Sequence, residues 1–379
     1  MRKLLVILGT PIDNVTMAEA LQRIGRFVSI GRQSGKWHQI ATVNADFIVK
    51  ALGDPALQRI LQKVDMATAD GMPLVWGARR LGVPVQGRVT GVDLVPAIAK
   101  MAAEKGLSIY LLGAAPGVAQ RTSDILVEQY PNLKIAGVAA PSRSAVDNQD
   151  PSIIDACKAA NPDILLVAFG NPRQEKWIDM NGDALGIPVM IGVGGTFDFI
   201  TGVTTRAPQW MQSCGLEWLH RLCHEPRRLW KRYAADLVGF GYFFLLQWWA
   251  MRKGRNSIAN SEISEVILTG EPTVLSVQGR LDISNQHSFM ATAHKTLGTE
   301  PFLIVDLADV EFLDSAAIGS LVALTKQARD AGGNVWLTNV PSPIERILSL
   351  LRLEQFFEIC EDLESALANR RAATEGLSI

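Results

Sequence analysis

The sequence predicts an α/β protein: a mostly parallel sheet with helices on both faces, a helical appendage, and a second, smaller α/β unit. Three observations point there. From residue 1 to about 195, short apolar runs alternate with segments of helical periodicity. Residues 196–255 change character, holding five of the nine tryptophans and a cluster of arginines. From about residue 265 the alternation of strand and helix resumes. At 379 residues the chain has room for two or three domains.

The first elements are read from apolar runs and start signals. Arg2-Lys3 followed by Leu4–Leu8 looks briefly like a signal peptide, but the run is short and no small-residue cleavage site follows. It is read as the first strand of a cytoplasmic protein. Further strands are expected at Trp37–Val43, Val64–Ala69, Leu107–Leu112, Leu133–Ala139, Ile164–Phe169 and Val189–Val193. Thr16-Met17-Ala18-Glu19 is a capping box, and Leu21, Ile24 and Val28 then share one helical face. Asp54-Pro55 pairs an N-cap with proline at the first helical position. In sheets of this kind ligands bind beyond the carboxyl ends of the strands.

Composition narrows the function classes. Net charge is −1, so no field over the whole chain favours nucleic acid. Charge is local: Arg221, Arg227, Arg228, Lys231, Arg232, Arg252, Lys253 and Arg255 face only Glu217, Glu225 and Asp236 in that stretch. The run Leu237–Ala250 has one polar member, Gln247, and is too short to span a bilayer. Flanked by basic residues and rich in Phe and Trp, it is expected at a membrane interface, with a core helix or a dimer contact as the alternative. Four cysteines without CxxC spacing read as buried thiols in a reducing compartment. Ser257–Ser264 is a polar linker.

Two strings resist explanation as core: Phe169-Gly170-Asn171-Pro172-Arg173-Gln174-Glu175-Lys176-Trp177 and Arg206-Ala207-Pro208-Gln209-Trp210, the second followed by Gly215-Leu216-Glu217-Trp218-Leu219-His220-Arg221. Together they resemble the WecG/TagA/CpsF family of bacterial glycosyltransferases, over about residues 5–235. That resemblance implies a Rossmann-like core (1–200), an appendage (201–255), and transfer of a sugar from a UDP-sugar to a polyprenyl-diphosphate-linked acceptor at the inner face of the membrane. The last stretch resembles a STAS domain (265–375), the fold of anti-sigma-factor antagonists. It is carried by the strand and turn Ser276–Asp282, the strand Leu303–Leu307, and Val310–Gly319 with Asp314-Ser315 opening a helix.

Each motif has a bland reading beside the functional one. Ala69-Asp70-Gly71 is a turn pair by composition; the family places its general base here, which makes Asp70 the choice for taking the acceptor proton. Thr42 and Asn44 share a strand face; they are strand-end or N-cap residues alone, and sugar or diphosphate contacts by resemblance. Arg88, in Arg88–Asp93, is a surface arginine or a phosphate fork. Gly113 sits in a strand-to-helix turn without GxGxxG spacing, so a nicotinamide cofactor is not expected; it serves nucleotide contact or close packing. Gln174 resembles a family sugar contact. Asp198 ends a Gly-Gly-Thr-Phe-Asp run matching another family motif.

Arg221, Arg227, Arg228 and Arg232 are expected to close over the diphosphate, or to form a basic surface against anionic lipid. His220 and His224 lack a third ligand, so no metal is expected and no cofactor either. Ser315 takes the position of the STAS phosphoacceptor; its other role is to cap the helix with Asp314. The partners expected are the UDP-sugar, the lipid-linked acceptor, the membrane surface, and a protein partner or kinase for the STAS unit. The rival reading is a nucleotide-sugar-sensing regulatory protein with the STAS unit as output.

Overall fold

A computed structural model describes residues 2–224, 226–256, 266–269 and 274–376, apart from the side chains of 213, 228, 232, 253–256, 266–269 and 375. The expected linker Ser257–Ser264 lies outside the described residues. The chain divides into two compact units. The larger comprises Asn14–Val75 and Val85–Phe240; the smaller comprises Met1–Asp13, Trp76–Pro84 and Gly241–Ile379.

The chain opens with β1 (Leu4–Ile7) and β2 (Thr10–Asp13), which belong to the smaller unit. The larger unit holds β3 (His38–Val43), β4 (Met66–Ala69), β5 (Ser108–Gly113), β6 (Lys134–Ala139), β7 (Ile164–Ala168) and β8 (Val189–Gly192). All six were expected from the sequence. They form one sheet in the order β4-β3-β8-β7-β5-β6, and every pairing is parallel.

The strands read as continuous apolar runs because both faces are covered. In β7, Ile164, Leu166 and Ala168 enter one core with Ile24, Val28 and Leu94, while Leu165 and Val167 enter the other with Trp177 and Ile178. Helix starts follow their signals. Thr16 caps Met17–Ser34 through a complete capping box with Glu19, and the Asp54 carboxylate accepts the Leu57 N–H to start Pro55–Lys63. The appendage forms helices Gln209–Ser213, Glu217–His224 and Pro226–Asn256. Among the described residues no helix is long and apolar enough to cross a membrane.

The smaller unit has a sheet ordered β13-β12-β11-β10-β9. Its strands are β9 (Val266–Thr269), β10 (Val274–Leu281), β11 (Phe302–Leu313), β12 (Asn334–Thr338) and β13 (Glu358–Cys360). Only β9 runs antiparallel to its neighbour. Asp314 caps helix Ser315–Asp330 by accepting the Ala317 N–H at 2.7 Å.

The hairpin β1–β2 packs along that same helix. Leu8 and Gly9 both adopt positive φ, 48° and 78°, as a tight two-residue hairpin turn demands. The outer edge of β1 meets side chains where another strand would pair. The Ser315 hydroxyl accepts from Val6 N (3.0 Å) and donates to Val6 O (2.7 Å). The Gln247 amide donates to Val6 O and accepts from Leu8 N, both at 2.9 Å. Helix and strand approach so closely that a Cβ on Gly319 would lie 2.3 Å from Leu4 O. Residues 1–13 and 76–84 thus group with 241–379. An apolar run declares a strand but not its partner.

Candidate active site

The site lies where the sheet predicts it, beyond the carboxyl ends of four adjacent strands, β4, β3, β8 and β7. The first residues after each line one cavity of about 470 Å³: Asp70 after β4, Asn44 after β3, Val193 and Gly194 after β8, and Gly170 after β7. That volume falls in the usual range of small-molecule sites, about 300–1,000 Å³. Helices Ala45–Gly53 and Arg173–Leu185 begin beside the same strand ends, and helix N-termini favour anions.

Asp70 is held by its backbone, whose N–H donates to Val43 O, and by its Oδ2, which accepts the Gly91 N–H at 3.2 Å. Burial pushes its carboxyl up to about 6; the Gly91 N–H and the charges of Arg221 and Arg88 pull the other way, and Glu217 reinforces the rise. A carboxyl poised there is ionised near neutrality yet basic enough to take a hydroxyl proton.

Two guanidiniums act on it, and a lysine lines the same cavity. Arg221, from helix Glu217–His224, lines the cavity with its guanidinium 4.5 Å over the Phe199 ring; its Nε is buried without a hydrogen-bond partner. Glu217 binds Arg221 at 2.9 Å and Arg88 at 3.1 Å, so one carboxylate holds both guanidiniums. Arg88 is set back from the lining, and its charge acts on Asp70. Lys50 also lines the cavity, pairing with Asp46 at 2.8 Å and donating to Asn171 O at 3.2 Å.

The other expected residues divide. Thr42 lines the cavity and donates to Gly192 O at 3.2 Å. Asn44 lines it too, while its Oδ1 accepts the Phe47 N–H as the N-cap of Ala45–Gly53. Asp198 is part of the lining. Gln174 lines the cavity although only 1% exposed, and its Oε1 accepts from Gly170 N (3.1 Å) and Gly194 N (2.9 Å), tying the loops after β7 and β8 together. Gly113 is not among the lining residues, because β5 lies beyond β7 from the cavity. Its glycine serves packing, since a Cβ there would fall 2.9 Å from Ala168 O. Arg228 and Arg232 lie on the helix Pro226–Asn256, but their side chains are outside the described residues.

Several participants escaped the sequence reading. Glu175 is 1% exposed behind Gln174, whose Nε2 donates to it at 2.7 Å; its second oxygen has no partner. Burial pushes its carboxyl up to about 7, against the pull of the Gln174 hydrogen bond. Glu175 and Glu217 each read in sequence as first-turn carboxylates, where helix dipoles favour them. Lys50 and Tyr233, both lining the cavity, offered no motif. The His220 and His224 rings lie 4.2 Å apart, tilted by 35°, and no group of three or more His, Cys, Asp or Glu among the described residues is placed to hold a metal. Arg206 forks onto Asp93 at 2.7 and 2.8 Å, anchoring the beginning of the appendage to the start of helix Gly91–Lys105. Ser315 lies in the other unit, fully buried against Val6.

Comparison with known proteins finds relatives of both parts of the chain. The family model described as "Glycosyl transferase WecG/TagA/CpsF family" matches residues 5–254, and the STAS domain model matches 262–366. An N-acetylglucosaminyldiphosphoundecaprenol N-acetyl-beta-D-mannosaminyltransferase of Staphylococcus aureus strain MW2 is 29% identical over 223 residues, 59% of this chain and 85% of the relative. The enzyme of the same name from strain NCTC 8325 matches with the same identity and coverage. Among solved structures, an anti-sigma factor antagonist from Mycobacterium paratuberculosis aligns at 23% identity and a TM-score of 0.27, covering 29% of this chain and 95% of that one. With well over half its length matched by the family model, the chain belongs to the WecG/TagA/CpsF family of glycosyltransferases and carries a C-terminal STAS domain.

Proposed function

We propose that the protein transfers a hexosamine-type sugar, with inversion, from a UDP-sugar to a polyprenyl-diphosphate-linked glycan in surface polysaccharide synthesis. The observation that carries this is the pairing of Asp70, raised to about 6, with Arg221 in one cavity at the strand ends. Asp70 takes the proton of the acceptor hydroxyl as its oxygen attacks the anomeric carbon. The bond to UDP breaks on the opposite face, and Arg221 and Lys50 stabilise the charge growing on the leaving diphosphate. Protein cations thus supply the neutralisation, so transfer is proposed to be independent of metal. The names of the relatives support N-acetylmannosamine as the first donor to try and N-acetylglucosaminyl-diphosphoundecaprenol as the acceptor.

Peripheral association with the inner face of the membrane fits a lipid-borne acceptor. On helix Pro226–Asn256, Leu237, Tyr242, Leu245 and Trp249 are 59–77% exposed. The spacing of the last three puts them on one face, with Arg252 following, as in helices that lie in the interface. Ser315 is proposed as a phosphorylation switch that a kinase reaches only when the hairpin leaves the helix, since its hydroxyl is fully buried and bonded to Val6.

The test is a donor screen with purified full-length protein, reading UDP release in the presence of the lipid-linked acceptor. Turnover with a UDP-N-acetylhexosamine supports the reading. Binding of UDP-sugars without UDP release, with any acceptor, would instead favour a nucleotide-sugar sensor.

A further inference from the structure

We propose that the smaller unit contains a second binding site, a cavity in which Arg80, Arg252 and Arg280 hold a phosphate mono- or diester. The cavity measures about 300 Å³ and shares no lining residue with the transfer site. Its arginines come from three separate stretches of the chain: the end of helix Met72–Arg80, the end of helix Pro226–Asn256, and the last turn of β10.

Two of them are set on aromatic faces, which fixes the plane of the guanidinium. Arg252 lies 5.0 Å from the centre of the Trp248 ring, and Arg280 lies 5.3 Å from that of Phe312. Stacking leaves the N–H edges available and reduces the entropy lost when they bind. Arg80 and Arg252 have no hydrogen-bond or ion-pair partner among the described residues.

Two carboxylates also line the cavity, and their oxygens are committed elsewhere. Asp282 accepts from Ser284 N and the Ser284 hydroxyl, and pairs with Arg280 at 3.2 Å. Asp314 accepts from Ala317 N at 2.7 Å and Ile283 N at 3.0 Å. Three guanidiniums against two carboxylates leave an excess of positive charge, contributed by the two unpaired arginines. A small concave site with several guanidinium forks matches the three or four oxygens of a phosphate better than the two of a carboxylate. The phosphate group is common to soluble phosphate compounds and to acidic phospholipid headgroups; Leu245 and Trp249 are exposed on the helix that also carries Arg252.

The experiment uses full-length protein with two probes. One is inorganic phosphate, titrated calorimetrically against sodium chloride of equal ionic strength. The other is phosphatidylcholine vesicles with and without phosphatidylglycerol, scored by co-sedimentation. The variants are R252Q, R280Q and the double substitution. UDP release should be unchanged in all of them, because these residues lie outside the transfer site, and so a failure here is distinguishable from failure of the proposed reaction.

Saturable phosphate binding by the wild type, weakened about tenfold or more for each arginine removed, is the expected result. A phosphatidylglycerol-dependent increment lost in the variants, without binding of free phosphate, also supports the site and assigns it to a lipid headgroup. Should the glutamine variants melt well below the wild type, R252K and R280K carry the test. Those keep the charge without the fork, and intermediate weakening is then expected. Wild-type binding of neither probe, or binding unaltered in the variants, overturns the proposal.

Discussion

Asp70→Asn should separate activity from stability in opposite directions. The wild-type carboxyl is raised from 3.8 to about 6, chiefly by burial. At 1.36 kcal/mol per pH unit that displacement amounts to about 3 kcal/mol, at most, of unfavourable free energy carried by the folded protein once Asp70 is ionised. The sign follows from linkage. The folded state holds the proton more tightly than the unfolded chain, so the penalty is absent below the unfolded value near 4 and complete above about 6. Asparagine is isosteric, can still accept the Gly91 N–H, and never carries the charge. The variant should therefore match the wild type in melting temperature near pH 4 and exceed it at pH 7. A gain of about 2–4 °C per kcal/mol is expected for a unit of about 150–250 residues, the range of the larger unit that holds Asp70. Turnover should fall by about 10²–10⁴, the usual loss for a general base, and the wild-type rate should rise with pH with a midpoint near 6. Thermal melts across pH and UDP release with the best donor measure both arms. Near-normal turnover, or a melting difference that does not vary between pH 4 and 7, would refute the assignment.

Gln174→Ala should strand the Gly170 and Gly194 N–H groups, costing about 1–3 kcal/mol and raising KM more than it lowers kcat; steady-state kinetics and melts check it. Arg221→Ala should lower kcat/KM by about 10²–10³, with partial recovery in Arg221→Lys, which restores charge but not the fork; equal rates in all three proteins would remove Arg221 from the leaving-group role. Ser315→Asp places a carboxylate against Val6 O and should release the hairpin, seen as faster hydrogen exchange at Val6 and Leu8; unchanged protection there would mean the hairpin does not respond to charge at 315. Leu245→Glu combined with Trp249→Glu should shift the protein from vesicle pellet to supernatant without loss of turnover on a soluble acceptor analogue, and persistence in the pellet would contradict interfacial binding.

The sequence was legible where local chemistry decides the outcome. Six strands of the larger unit were visible because strands buried on both faces are apolar at every position, and helix starts were visible because caps are local hydrogen bonds. Asp70 and Asn44 could be placed at this edge because each directly follows a strand, and Thr42 because it stands next to the end of β3; the roles expected of them came from the family resemblance. What stayed hidden depends on contacts between distant residues. Leu4–Leu8 reads as a strand anywhere; only Ser315, Gly319 and Gln247, more than two hundred residues away, decide that it lies along the helix after Asp314. Glu217 reads as a helix-start carboxylate until Arg88 and Arg221 are seen to share it. Glu175 differs from a surface glutamate only through burial, which also lifts its carboxyl to about 7. The STAS helix start shows the same division between local and distant causes. Asp314-Ser315 announces a cap in sequence, and Asp314 supplies it. That Ser315 spends its hydroxyl on Val6 ties the family's N-terminal segment to the STAS unit, and it makes any modification there conditional on moving the first strand of the chain.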